Sequence, residues 1–173
     1  PDGVEEIKDS TFGQTSCENI TIPSSVKRIG KRAFMNCIFL KEVVLSADLI
    51  TIDEFAFSGC EKLQVINLPN NLKTIGNNAF LRCESISEII LPESVTEIGE
   101  SAFSTCTSAT KIAISANVKR INKGVFASCK SVNNISMPNG ITEIGDSAFS
   151  NMDGLTSIQI PNSVTTIGSH AFQ

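Results

Sequence analysis

Phenylalanine recurs at a fixed interval along the chain, and this interval constrains the fold more than any other feature. Seven Phe residues lie 23 positions apart: Phe34, Phe57, Phe80, Phe103, Phe126, Phe149 and Phe172. The unit around each one reads L-x-x-I-x-L-P-x-x-V-x-x-I-G-x-x-A-F-x-x-C-x-x. A shortened copy with Pro1, Val4, Ile7 and Phe12 precedes them, with one residue deleted before the next unit. A repeat of this length predicts a solenoid, in which stacked coils bury one another's apolar faces.

The first half of the unit predicts a short strand. Leu63-x-x-Ile66-x-Leu68 ends in alternating apolar residues and is closed by Pro69, which cannot donate to a strand ladder. The equivalent strands are expected to centre on Ile20, Val43, Ile66, Ile89, Ile112, Ile135 and Ile158. The V-x-x-I segment that follows predicts a second short extended piece, with both apolar residues facing inward.

The glycine after the second extended piece is the most restricted position of the unit. It is Gly in five copies, whereas Asp53 and Asn122 replace it in two others. Asp and Asn are among the few residues that tolerate a positive φ. We therefore expect a left-handed turn here. A phosphate loop is disfavoured, because one Gly per copy lacks the clustered spacing of such loops.

The Phe and Cys columns are expected to form the core. Stacked coils would bring the Phe rings into one continuous aromatic spine. Five cysteines share a column three residues after Phe, at Cys37, Cys60, Cys83, Cys106 and Cys129. Equivalent stacked side chains point the same way, which suits a disulfide poorly, and Met152 in the next copy is a poor zinc ligand. We expect free, buried thiols and no metal site, and Cys17 is expected to pack as a small hydrophobe.

The unit resembles the BspA-like, or Treponema-type, class of leucine-rich repeat, and the segment I-G-x-x-A-F-x-x-C carries the resemblance. It covers essentially residues 1–173, which we expect to form a single array of seven strand-bearing coils after a partial first repeat, and to be a piece of a longer array. The resemblance implies a leucine-rich-repeat solenoid with a parallel sheet on its concave face. It also implies a cell-surface or secreted protein, mostly bacterial, that acts in adhesion to host or extracellular proteins.

Because the recurring residues are all needed for the core, function is expected among residues that vary between copies. Variable strand positions project from the concave face, where most are polar. Val44, Val65, Ile90 and Ala113 are apolar and fall on four successive strands, and we call them the apolar patch. The candidate protein-binding residues are Lys41, Glu42, Val44, Val65, Asn67, Glu88, Ile90, Lys111 and Ala113. An apolar patch with a charged rim is typical of a protein-binding site, although strand propensity alone also places Val and Ile on exposed strands.

Another set of basic residues lies in the second extended piece. These are Lys27, Arg28, Lys73, Lys119 and Arg120, and Glu97 and Glu143 interrupt them. They predict either a mildly basic stripe or an ordinary solvated face. A net charge of −4 gives no electrostatic footprint for nucleic acid, and no apolar run is long enough for membrane insertion.

The chain offers no set of residues from which a catalytic site can be assembled. Its one histidine, His170, occupies a turn position without a Cys or Asp partner in the pattern. Catalysis needs titratable groups that converge on one point. We therefore expect no enzyme activity and no cofactor, and the sequence leaves the oligomeric state open. Two functions remain: a protein-binding module, or a structural spacer that presents another domain.

Overall fold

The structure is a computed structural model that describes residues 3–173, so Pro1 of the shortened first copy lies outside the described residues. We number the coils 1 to 8 by their Phe residues, from Phe12 to Phe172. The strands in chain order are β1 Glu6–Ile7, β2 Asn19–Thr21, β3 Arg28–Ile29, β4 Glu42–Val44, β5 Thr51–Ile52, β6 Val65–Ile66, β7 Thr74–Ile75, β8 Glu88–Ile90, β9 Glu97–Ile98, β10 Lys111–Ala113, β11 Arg120–Ile121, β12 Asn134–Ser136, β13 Glu143–Ile144 and β14 Thr166–Ile167. Within residues 3–173 no helix is long and apolar enough to span a membrane.

Every strand pair is parallel and joins neighbouring coils, which confirms the solenoid. We call the surface carrying β2, β4, β6, β8, β10 and β12 the concave face, and its strands form two three-stranded sheets, β2-β4-β6 and β8-β10-β12. The V-x-x-I segments form the second face, with sheets β1-β3-β5-β7-β9 and β11-β13-β14. One sequence prediction is wrong in detail: the segment around Ile158 forms no strand, and the concave strands do not make one continuous sheet.

The two breaks in the sheets lie between different pairs of coils. On the concave face the break separates β6 from β8, between coils 4 and 5, whereas β7 and β9 of the same coils stay paired. On the second face the break separates β9 from β11, between coils 5 and 6, where β8 and β10 stay paired. Each gap is therefore spanned by an intact ladder on the opposite face.

The aromatic spine is continuous across both breaks. Neighbouring Phe rings stack nearly parallel, with centroids 5.0 Å apart for Phe34 and Phe57 and 5.9 Å apart for Phe103 and Phe126. The six rings from Phe34 to Phe149 are buried, whereas Phe12 and Phe172, each with one ring neighbour among the described residues, are partly exposed. The prediction of a buried ring column is confirmed for the inner coils.

The cysteine column is buried, and all six cysteines of the chain are free in the structure. The thiol of Cys60 donates to the carbonyl of Phe34, in the preceding coil, at 3.2 Å. The same bond recurs from Cys83 to the Phe57 carbonyl at 3.2 Å. This contact explains why Cys suits the column better than an apolar residue of equal size, because the thiol also satisfies a buried carbonyl oxygen.

The predicted left-handed turn at the glycine column is wrong. No Gly of that column has a positive φ; instead the left-handed residues lie two positions before and two after each Phe, as at Ser101 and Thr105 around Phe103. Glycine is required here for close approach between coils. A Cβ on Gly99 would lie 2.3 Å from the backbone nitrogen of Asn77 in the coil before it.

Candidate protein-binding site on the concave face

The predicted apolar patch lies on the outward side of the concave strands. Val44, Val65 and Ile90 are 48%, 50% and 44% exposed, and Ala113 is half-buried. Of the residues between them, Val43, Ile89 and Ile112 are buried and Ile66 is partly buried. This alternation follows from the two-residue period of a strand, so the structure gives these side chains the orientation that the sequence predicts.

The strand register divides the outward residues into two rows. Glu42 pairs with Val65, which places Val65 in the same row as two acidic positions, Glu42 and Glu88. The other row contains Val44 and Asn67, and in it Ile90 pairs with Ala113. On coil 4 the apolar residue, Val65, lies in the row of the acidic residues, and the polar residue, Asn67, lies in the row of Val44 and Ile90. The four residues of the apolar patch therefore do not form one continuous row.

A groove opens at the break between β6 and β8. Leu91 N–H donates to the Ala113 carbonyl of the next coil at 2.9 Å, but in the described structure Leu68 N–H makes no such bond to Ile90. Asn is depleted in strands, and Asn67 follows the last residue of β6, which has only two residues. The resulting groove has a volume of about 330 Å³ and is lined by Val65, Ile66, Asn67, Leu68, Asn70, Ser87, Glu88, Ile90 and Pro92.

The charged candidate residues differ in whether they form ion pairs within the chain. Lys41 donates to the carboxylate of Glu18 at 2.8 Å, and this hydrogen bond lowers the pKa of Glu18. In residues 3–173, Glu42, Glu88 and Lys111 have no ion-pair partner within 4.0 Å. These three side chains are therefore the charged groups of the predicted site that remain available to a partner.

The sequence reasoning missed two exposed apolar residues in the turn that leads into β4. Ile38 and Phe39 are 43% and 42% exposed, and the ammonium of Lys62 lies 5.0 Å from the centre of the Phe39 ring. The signal was present in the repeat, since the equivalent positions in later coils are polar or small, as at Glu61 and Lys62. An apolar pair at a polar position of the unit marks a surface feature that the core does not require.

Three of the five basic residues named for the second face pair with carboxylates. Lys27 pairs with Glu5 at 3.2 Å, and Arg28 contacts the carboxylates of both Glu6 and Asp53. Arg120 likewise pairs with Glu143 at 2.8 Å. The structure therefore supports the solvated-face interpretation over a basic stripe.

Side chains of metal-binding type do not converge in the part of the chain that the structure describes. It contains no group of three or more His, Cys, Asp and Glu residues placed to hold a metal ion. His170 is exposed and occupies one of the left-handed turn positions, with a φ of 57°.

Sequence and structure comparisons point to one family. The profile of the BspA type leucine rich repeat region matches residues 5–107 and 52–173, with six copies. A leucine rich repeat protein of T. pallidum is 32% identical, with a TM-score of 0.86 over 91% of this chain and 75% of that one. A leucine-rich repeat protein of Bacteroides ovatus is 34% identical, with a TM-score of 0.72 over 96% of this chain and 49% of that one.

A more distant likeness extends only to the fold. The pneumococcal vaccine antigen PcpA is 22% identical, with a TM-score of 0.59 over 97% of this chain and 51% of that one. Comparison with curated protein sequences gives no match. Leucine-rich repeat arrays of this kind are typically non-catalytic, and the family indicates a protein-interaction module. The chain belongs to the BspA-type leucine-rich repeat family.

Proposed function

We propose that the chain is a protein-binding module of a cell-surface or secreted protein, which recognises host or extracellular proteins through its concave face. The observation that carries the proposal is the exposure of Val44, Val65 and Ile90 on three successive concave strands. Large aliphatic side chains exposed to water on neighbouring strands are favourable to bury against a partner, by roughly 25 cal/mol per Å² of apolar surface.

The surroundings of these residues also support binding. Glu42, Glu88 and Lys111 flank them without ion-pair partners among the described residues, so they can set the orientation and the specificity of a partner. Phe39, exposed in the turn before β4, adds an aromatic side chain of a kind enriched in protein–protein interfaces.

The family supports the proposed location. The BspA-like resemblance implies surface or secreted proteins, and the profile match extends over nearly the whole chain. Detection of the protein on intact cells with an antibody, before and after protease shaving, tests the location. Detection only after the cells are lysed would contradict it.

A structural spacer is the second candidate, and the stiffness of the array favours it. Seven stacked ring pairs join the coils, and each sheet break is spanned by an intact ladder on the opposite face. A spacer needs this stiffness but no exposed concave aliphatic residues.

A binding assay separates the two functions. The purified chain is tested against a panel of extracellular-matrix and serum proteins, with the double variant Val44→Asp, Ile90→Asp alongside. We expect the double variant to lose binding while its circular dichroism is unchanged. The matched control is Ile50→Asp, because Ile50 is 43% exposed but precedes β5 on the second face; it should bind like the parent.

Other results would contradict the proposal in distinct ways. If the parent chain binds no member of the panel, the spacer function is favoured. If the double variant binds as well as the parent while charge reversal at Lys27, Arg28, Lys119 and Arg120 abolishes binding, the second face is the binding surface.

A further inference from the structure

The groove between β6 and β8 is lined by one charged residue among uncharged ones. Of its nine lining residues only Glu88 is charged, and the rest are aliphatic residues, proline, two asparagines and a serine. No cation of the described chain lies within 4.0 Å of the Glu88 carboxylate. Lys111, its register partner, belongs to β10 on the side of β8 away from the groove. The groove therefore presents one unneutralised carboxylate beside apolar walls.

Several further acceptors line the same groove as that carboxylate. The Ile90 carbonyl receives no bond from Leu68 N–H, although the equivalent Ala113 carbonyl receives one from Leu91 at 2.9 Å. The side-chain amides of Asn67 and Asn70 line the same groove, and each supplies a further carbonyl oxygen. A ligand that carries several N–H donors in one plane matches this set.

The apolar walls match a flexible aliphatic stem. Val65 and Ile90 are about half exposed, and together with Pro92 they line the groove beside Glu88. Long cationic side chains bury their methylene stems along such surfaces while the charged head meets a polar partner. At about 330 Å³, the groove has room for one such side chain.

We propose that the groove between β6 and β8 receives an arginine side chain of the partner protein, with its guanidinium on the Glu88 carboxylate. This inference rests on the proposed protein-binding function and names the chemistry that the same face recognises. Guanidinium is planar and has five N–H donors in a fixed fork, which can reach a carboxylate and a neighbouring carbonyl together, whereas a lysine ammonium is a compact point charge. The Leu68 N–H is then left to bond a backbone carbonyl of the segment that carries the arginine.

The test uses the intact 173-residue chain and N-acetyl-arginine-N-methylamide as the probe, titrated while backbone amide signals are followed by NMR. We expect saturable shifts at Val65, Asn67, Glu88 and Ile90. The citrulline analogue, which has nearly the same shape but no charge, should produce none, and the lysine analogue should bind more weakly. Glu88→Gln should reduce the affinity by about tenfold or more, because it removes a charge-assisted bidentate contact.

The matched control is Glu97→Gln, because Glu97 is exposed on β9 of the second face and does not line the groove. It should leave the titration unchanged. The inference is overturned if citrulline produces the same shifts as arginine, if Glu88→Gln binds as tightly as the parent, or if the shifts cluster away from the groove.

The same variants separate this inference from the proposed function. If a protein partner is lost in the Val44→Asp, Ile90→Asp variant but bound normally by Glu88→Gln, the concave site stands and the arginine assignment is wrong. If the arginine probe binds the groove but the protein partner is indifferent to the double variant, the concave binding function itself is wrong.

Discussion

The side-chain amide of Asn122 donates to the carbonyl of Ile98, in the preceding coil, at 2.7 Å. In neighbouring coils this carbonyl position accepts a backbone N–H from the glycine column, as from Gly99 to Ile75 at 2.7 Å and from Gly145 to Ile121 at 2.7 Å. Asn122 thus replaces a backbone bond by a side-chain bond at the point where β9 and β11 fail to pair.

Among the described residues, a second backbone hydrogen bond is missing from the second face between the same two coils. Thr142 N–H donates to the Lys119 carbonyl at 2.8 Å, but the equivalent bond from Lys119 N–H to Thr96 is missing from the described structure. The ring pair across the same two coils, Phe103 and Phe126, has the widest separation of the spine at 5.9 Å. Size alone does not explain the break, because Asp53 in the same column keeps its backbone bond to the Ile29 carbonyl at 2.9 Å and β3 stays paired with β5. At Asn122 the side-chain amide bonds the Ile98 carbonyl in place of the backbone N–H.

We predict that Asn122→Gly allows β9 and β11 to pair, so that the sheet of the second face becomes continuous between coils 5 and 6. Without the side chain the backbone can approach as it does at Gly99, and the Lys119 amide gains a partner. The measurement is hydrogen exchange, in which the Lys119 amide should become protected. Stability should change little, because a regained bond contributes about 1 kcal/mol and the glycine costs about 0.5–1 kcal/mol in chain entropy. An unchanged exchange rate at Lys119 would show that the side chain does not cause the break.

A second prediction concerns the aromatic spine. Phe103→Ala removes a fully buried ring stacked between Phe80 and Phe126, and should lower the free energy of unfolding by about 3–5 kcal/mol. Phe39→Ala is the control, because that ring is 42% exposed, and it should cost well under about 1 kcal/mol. Urea unfolding followed by circular dichroism measures both. If the two variants lose the same free energy of unfolding, a ring of the aromatic spine contributes no more to stability than an exposed ring.

Thiol labelling tests the cysteine column. Cys60, Cys83, Cys106 and Cys129 are buried with their thiols bonded to carbonyl oxygens, so they should stay unlabelled by an aromatic disulfide reagent until the chain unfolds. Cys17 is half-buried and should react first. Mass spectrometry of the labelled peptides identifies the order. Rapid labelling of the inner thiols in the native protein would contradict the packing described here.

The buried thiols also predict a dependence of stability on pH. Burial raises the pKa of Cys83 and of Cys106 above the ordinary value of 9.0, so the folded chain keeps protons that the unfolded chain releases above that pH. Their contribution is fully present below pH 9.0 and is lost as the pH rises further, by about 1 kcal/mol per thiol near pH 10. Urea unfolding at a series of pH values measures the decline.

The control for the pH series is Cys83→Ala, which should show a shallower decline than the parent above the ordinary thiol pKa of 9.0. Cys37 does not disturb the comparison. It is present in both the parent and the variant, so its contribution cancels between them. An equal decline in parent and variant would contradict the assignment to Cys83.

The amino-acid sequence alone determined the coil, its core and its family. The 23-residue spacing of Phe is a property of the unit, and so are the inward residues, the cysteine column and the outward strand positions. The spacing and the cysteine column follow from comparison of the copies. The inward and outward positions can be read within one copy, because a strand alternates its sides every two residues and a stacked unit must bury its apolar face. For this reason the exposure of Val44, Val65 and Ile90 could be predicted before the structure was known.

Only the tertiary structure decided how one coil meets the next. Gly99 is small because the backbone of Asn77 approaches it from the coil before, and Asn122 bonds a carbonyl 24 residues away at the place where the second-face sheet is interrupted. The row that joins Glu42 to Val65 and the groove beside Asn67 likewise depend on the register and pairing of separate strands. These are contacts between units, and a pattern that describes each unit by itself carries no information about the distance between two of them.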